Sequence, residues 1–160
     1  LAGRLLRWKN ARFGSVDRES SFPVESASPV RGNVTLLPAT AETYRELDEK
    51  TSGSVRFAVL VLRDGDKEAA KRHFHTPLVF SVREAKGLEY PNIIIWNFIS
   101  SNSWEFDEIA ADLKPEDLDG ESRYAGKRDK AVRSLEIFKF YINALYVAIT
   151  RAVDTVYWLA

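Results

Sequence analysis

Apolar and polar positions alternate with different periods along the chain. Residues 57–62, "FAVLVL", form a continuous apolar run, and so do residues 93–96, "IIIW". Runs of this length and type predict strands buried on both faces, as in parallel sheets. "PLVFSV" (77–82) predicts another strand, "NVTLLP" (33–38) a short one closed by Pro38, and "DTVYWLA" (154–160) a last one. Between them the period lengthens. "TAETYRELDEK" (40–50) predicts a helix with Thr40 as its N-cap and Glu in its first turn. "DGDKEAAKRHF" (64–74) predicts a second, capped by Asp64 or Asp66. In residues 128–150, Val132, Leu135, Phe138, Tyr141 or Ile142, Leu145 and Ile149 recur at three- and four-residue steps, which predicts the longest helix with one face on a sheet. Strand and helix in alternation predict an α/β layered fold with right-handed crossovers.

Two stretches depart from that rhythm. Residues 1–10 carry Leu1, Leu5, Leu6 and Trp8 among bases and read as the end of a helix. Residues 11–32 are rich in Ser and Pro and read as a connector, so the expected division is 1–32 against a domain at 33–160. Within that domain, Glu105 to Asp119 holds seven acids against one Lys, and Arg123 to Arg133 five bases against Asp129. A surface insertion at 103–130, outside the core, is expected. It is either a solvated face or an arm that docks a protein partner.

Composition narrows the classes. The chain has 23 basic and 23 acidic residues, so its formal charge of zero excludes a domain-wide basic footprint for nucleic acid; such contact has to be local. Cysteine is absent, which removes disulfides, thiol nucleophiles and zinc ribbons. His73 and His75 are too few for a metal site and read as a polar loop after a helix; no metal ligand is expected. No apolar run reaches membrane-span length and the N-terminus lacks a signal-peptide core, so no membrane partner and a cytoplasmic, intracellular setting are expected. The first residue is not Met, and the chain is expected to begin inside a longer protein.

Two stretches carry candidate chemistry. In "SVREAKGLEYPNIIIW" (81–96), Gly87 would let backbone approach a ligand, Lys86 could stand near phosphate and Glu89 could accept from ribose hydroxyls. The plain alternative is a turn glycine beside a surface lysine. In "YVAITRAVD" (146–154), Arg151 sits where a helix meets a strand. It could cap helix carbonyls, or present its planar fork of donors to a phosphate held by another domain. No G-x-x-x-x-G-K-[ST] occurs, and "YAGKRDK" (124–130) lacks the first glycine and the Ser/Thr, so this chain alone cannot cradle a triphosphate.

Taken in order, "SVREAKGLEYPNIII" and "ALYVAITRAVDTVYWL" resemble motifs V and VI of the UvrD/Rep-like superfamily 1 helicases, near the end of their second RecA-like domain. "FAVLVLRDGDKEAAKRHF" is similar to the strand and helix before motif V, and "LAGRLLRWKNARFGSVDRES" to the segment after the arginine-bearing motif IV, so the resemblance spans most of the chain. It implies a three-layer RecA-like α/β domain, P-loop NTPase-like, with a mainly parallel sheet flanked by helices. It implies ATP and Mg2+ bound mainly by a first RecA-like domain of the same protein, and single-stranded or partly duplex DNA as the track. Arg151 would be the arginine finger, Lys86, Gly87 and Glu89 would face the nucleotide, and Ser81 and Arg83 would face the nucleic acid. Ser81 stands where the family has Thr, and Arg83 where it has His; Arg83 keeps a donor but loses the flat imidazole. The motif IV arginine would lie upstream of Leu1, and about sixteen residues stand where large members insert a subdomain. The implied activity is ATP-dependent DNA unwinding or translocation. The alternatives are a non-catalytic interaction or regulatory module on the same fold, and a subunit of a nuclease-helicase repair enzyme. Glu89 and Arg151 are expected on one edge of the sheet, near the carboxyl ends of the strands or the adjoining helix end.

Overall fold

Five strands, β1 (Asn33–Leu37), β2 (Phe57–Val61), β3 (Val79–Ser81), β4 (Tyr90–Ile95) and β5 (Ala152–Leu159), pair in parallel in the order β1-β5-β4-β2-β3. The computed structural model describes residues 1–13, 31–111, 113–119 and 133–160. Its helices are α1 (Ala2–Phe13), α2 (Ala41–Thr51), α3 (Lys67–Ala70), α4 (Ser103–Ala110), α5 (Pro115–Leu118) and α6 (Arg133–Ile149). The parallel sheet flanked by helices is the α/β class that the apolar pattern predicts, and it agrees with a three-layer RecA-like arrangement.

The chain divides into two compact units, Leu1–Ala27 with Asn102–Tyr146 and Ser28–Ser101 with Val147–Ala160. These bounds differ from a split at residue 32, because residues 102–146 group with the N-terminal helix.

In the sheet unit, β4 is central with β2 beside it; β2 is apolar throughout and β4 from Ile93 onward. Side chains alternate between faces, so Val59, Val61, Ile94, Trp96 and Leu159 share one face, which packs with Leu47 of α2 and with Ala70 and Phe74. Leu60, Ile93, Ile95 and Val156 take the opposite face and are buried as well. That double burial is why the two central strands read as unbroken apolar runs. Thr40 caps α2 as expected: its Oγ1 accepts from the Thr43 amide at 3.2 Å. The second predicted helix is shorter than its pattern. A 3-10 turn, Asp64–Asp66, precedes four residues of α3, and Asp66 Oδ2 accepts from the Arg63 amide at 3.0 Å.

In the other unit, residues 103–130 are not uniformly an external arm. Helix α4 buries Phe106 and Ile109, the latter completely, and Tyr141 Oη donates to Glu105 Oε1 at 2.8 Å. The acidic block is also partly paired: Arg4 meets Asp119 through two bonds of 3.0 and 2.9 Å, and Arg7 Nε donates to the Leu118 carbonyl. The expectation of a segment outside the core therefore fails for α4, where two apolar anchors outweigh the surrounding acids. Residues 120–132, with most of the basic block, and residues 14–30 of the connector expected at 11–32 lie outside the described residues. Among the described residues, no helix is long and apolar enough to cross a membrane.

Candidate functional site

The site is assembled where α6 ends and two strands begin. The last turn of α6 leaves carbonyls without helical partners. Thr150 Oγ1 donates to the Val147 carbonyl at 3.0 Å, Arg151 Nε donates to the same carbonyl at 3.3 Å, and the Arg151 amide reaches the Ala148 carbonyl at 3.3 Å. A cation at this end also complements the helix dipole. The chain then enters β5 at Ala152, which pairs with Tyr90, the first residue of β4.

The stretch before Tyr90 arrives through a compact turn. The Ala85 amide donates to the Ser81 carbonyl at 2.9 Å and the Leu88 amide to the Ala85 carbonyl at 3.0 Å, with Ala85 buried beneath. Gly87 sits at φ +88°, a conformation that L side chains rarely adopt. A Cβ there would meet no atom within 4 Å, so backbone conformation rather than crowding calls for glycine. The turn and the helix end are joined: Arg151 Nη1 donates to the Leu88 carbonyl at 3.1 Å, and the Tyr90 amide donates to the Arg151 carbonyl at 2.9 Å. Arg151 Nη2 also donates to Thr150 Oγ1 at 3.3 Å.

A guanidinium has five N–H donors. Three of the Arg151 donors are used on oxygens of the protein, and Arg151 forms no ion pair among the described residues. One N–H on each terminal nitrogen is left over, and the charge is uncompensated. Lys86 and Glu89 flank Gly87 and Leu88, are exposed, and make no hydrogen bond or ion pair among the described residues. Lys86, Gly87, Glu89 and Arg151 thus converge at the amino ends of β4 and β5, beside the carboxyl end of α6. Of the two expected places, the adjoining helix end holds them and the carboxyl ends of the strands do not.

Ser81 and Arg83 belong to a different edge. Ser81 closes β3 at its carboxyl end and is buried. Its amide and Oγ both donate to Glu84 Oε2, at 3.0 and 3.3 Å, and Glu84 Oε1 accepts from Lys67 Nζ at 2.7 Å. The Lys67 ammonium, followed by the Ser81 amide, holds the Glu84 carboxyl below its ordinary value, while the bond to Glu84 raises Lys67. Arg83 is exposed and pairs with Asp64 at 2.7 Å. The expected nucleic-acid pair is therefore separate from the nucleotide-facing group, and the Ser81 hydroxyl is already engaged. The sequence pattern offers Asp64 only as a helix cap and gives Lys67 and Glu84 no role. Acids at 64 and 84 could have been tested for salt bridges, but their partners lie 17 and 19 residues away and no local spacing announces them.

Comparison with family models, with curated proteins and with solved structures returns no match for this chain.

Proposed function

We propose that the sheet unit is the second RecA-like domain of an ATP-dependent DNA helicase or translocase. In this reading Arg151, with Lys86, Gly87 and Glu89, faces a nucleotide held mainly by a P-loop domain of the same protein. The observation that carries it is the junction of the two motif-like stretches. Residues 63 apart in sequence, Leu88 and Arg151, are bonded at one edge, with two spare guanidinium donors and two unpartnered charged side chains beside them.

The chemistry follows from those groups. Phosphoryl transfer needs positioning and charge stabilisation more than covalent participation by the protein. The spare Arg151 donors would offset charge that develops on the transferring group, and Glu89 would accept from ribose hydroxyls. Mg2+ and most phosphate contacts would come from the P-loop domain. Domain closure and reopening would then drive movement along the DNA, with Arg83 as a local phosphate contact once released from Asp64. Without a P-loop the 160-residue chain alone is expected to show no ATP turnover, and robust hydrolysis by the pure chain counts against the reading.

A second reading has its own support. Among the described residues, all three bonds of the Arg151 guanidinium go to carbonyl or hydroxyl oxygens of its own unit, which suits a helix-capping residue in a non-catalytic module on the same fold. The deciding experiment is DNA-stimulated ATP turnover by the P-loop-containing protein, for wild type, Arg151→Ala and Arg151→Lys, each with a melting curve. A finger loses turnover while the fold survives; a cap loses stability and keeps turnover in the folded fraction.

A further inference from the structure

On the face of the sheet covered by α2 and α3 lies an open cleft of about 500 Å³, lined by Tyr44, Arg45, Asp48, Arg72, His73 and His75. None of these residues takes part in the edge formed by Gly87, Glu89 and Arg151. Trp96, which directly follows the last residue of β4, braces Tyr44 from one side, and His75 closes the other side ahead of β3.

Its walls are set in advance. The Tyr44 and His73 rings stack with centroids 4.2 Å apart and planes 21° from parallel. Tyr44 is held from behind, because Trp96 Nε1 donates to its Oη at 3.1 Å and the buried Phe74 ring meets it edge-on. Asp48 fixes the opposite rim: Oδ1 accepts from the His75 amide at 2.7 Å, and Oδ2 lies 2.6 Å from His75 Nδ1. Ordering these groups beforehand lowers the entropic cost of binding.

Other groups keep hydrogen-bond donors free, although the Arg72 charge also helps to lower Glu68. The His73 ring nitrogens and the Arg72 guanidinium make no hydrogen bond or ion pair among the described residues. Among the described residues Arg45 reaches Glu42 alone, at 4.0 Å, with both side chains mostly exposed. Such an exposed pair is worth little and is readily redirected. An aromatic stack flanked by two arginine forks matches a ligand with a flat ring at one end and an anionic oxygen group at the other. Arginine recognises phosphate through paired N–H donors, and bases stack on aromatic faces with little sequence preference.

We infer that this cleft binds a nucleotide unit, its base against the Tyr44–His73 stack and its phosphate between Arg45 and Arg72, at a site separate from the Arg151 edge. The unit is either a free mononucleotide or one residue of a single strand, which present the same chemistry.

The chain's two histidines both line the cleft, so histidine-ring NMR of the full 160-residue chain reports on it alone. The probes are adenosine monophosphate, adenosine, inorganic phosphate and a short single-stranded deoxyadenylate. Adenosine monophosphate should move the His73 ring signals saturably, with adenosine and phosphate each at least about tenfold weaker. Arg72→Gln should weaken the nucleotide about tenfold or more, the range for a lost hydrogen bond to a charged group, with an unchanged melting temperature. His73→Ala, read through His75, should weaken adenosine monophosphate while leaving phosphate unaffected. Tighter binding of the oligonucleotide than of the mononucleotide identifies a strand as the source; equal or weaker binding identifies the free nucleotide. The inference is overturned if neither moves the His73 signals, if phosphate alone binds as well as the nucleotide, or if folded Arg72→Gln binds unchanged.

Discussion

The two ends of the parallel sheet treat charge in opposite ways. At the carboxyl end of β3, charges are matched: Lys67 with Glu84, Arg83 with Asp64, and the Ser81 amide and hydroxyl with Glu84. At the amino ends of β4 and β5, Lys86 and Glu89 stand without partners among the described residues, and Arg151 carries a charge that only neutral oxygens meet. Both edges use a short turn after or before a strand, and both hold arginine, lysine and glutamate. The difference lies in whether the charges form ion pairs. A matched edge closes a turn and leaves little for a ligand, whereas an unmatched one keeps donors and acceptors available. Residue type therefore does not identify a site here; the partner of each residue does.

The sharpest way to break the comparison is at Arg151. If the unmatched edge serves phosphoryl transfer, Arg151→Ala should lower turnover of the P-loop-containing protein by roughly 10³–10⁵, the span known for arginine fingers, with a nearly unchanged nucleotide affinity. Arg151→Lys should recover little, since an ammonium on a flexible stem cannot reproduce the fork. Near-normal turnover in a folded Arg151→Ala protein would move the edge into the same structural class as its counterpart.

Gly87 tests whether the unmatched edge depends on its turn. At φ +88° with open space around the missing Cβ, Gly87→Val should cost about 1–2 kcal/mol from left-handed backbone alone. Gly87→Asn should cost less, because Asn tolerates that region. Equal melting temperatures for the Val and Asn variants would show that the turn relaxes.

At the matched edge the effect is smaller and depends on pH. Glu84 has its folded value lowered below 4.5, so its contribution is present above that value and fades as pH falls through the folded one. Lys67 has its folded value raised above 10.5, so its contribution is present below that value and fades as pH rises through the folded one. Glu84→Gln should therefore lower the melting temperature slightly at neutral pH and converge with wild type in acid. A gap that persists unchanged at pH 3 would mean that Glu84 acts through packing and not through charge.

The smallest effect is expected at Arg83. Its side chain is 83% exposed, so loss of its pair with Asp64 in Arg83→Ala should change stability by about 0–1 kcal/mol. A larger loss in denaturant melts would mean that the carboxyl edge holds the sheet together more firmly than exposed pairs do.

What could be read from sequence was whatever rests on neighbours in the chain. The runs at 57–62 and 93–96 announce central strands because burial on both faces removes the polar alternation. Thr40 announces its helix because capping is a contact across three residues. Gly87 and Arg151 could be singled out because a turn and a helix end restrict residue type locally. The four-residue α3 and the three-residue β3 are shorter than their patterns predict, since tertiary packing, which no period encodes, decides where they end. The anchors Phe106 and Ile109 were hidden by the acids around them, because an average over charges does not register two apolar residues three apart on one helix face.

The sequence by itself determined the α/β class, the parallel character of the sheet and the residue types at the candidate site, because periodicity, capping and backbone freedom act over a few residues. Only the tertiary structure decided which of those residues meet. It joined Arg151 to Leu88 across 63 positions, Trp96 to Tyr44 across 52 and Asp48 to His75 across 27, and it sent Ser81 and Arg83 to the other edge. The physical reason is that a hydrogen bond or ion pair is satisfied at about 3 Å by whatever group the fold brings there, and strand order, which sets that neighbourhood, is chosen by burial of the whole sheet rather than by any residue in the pair.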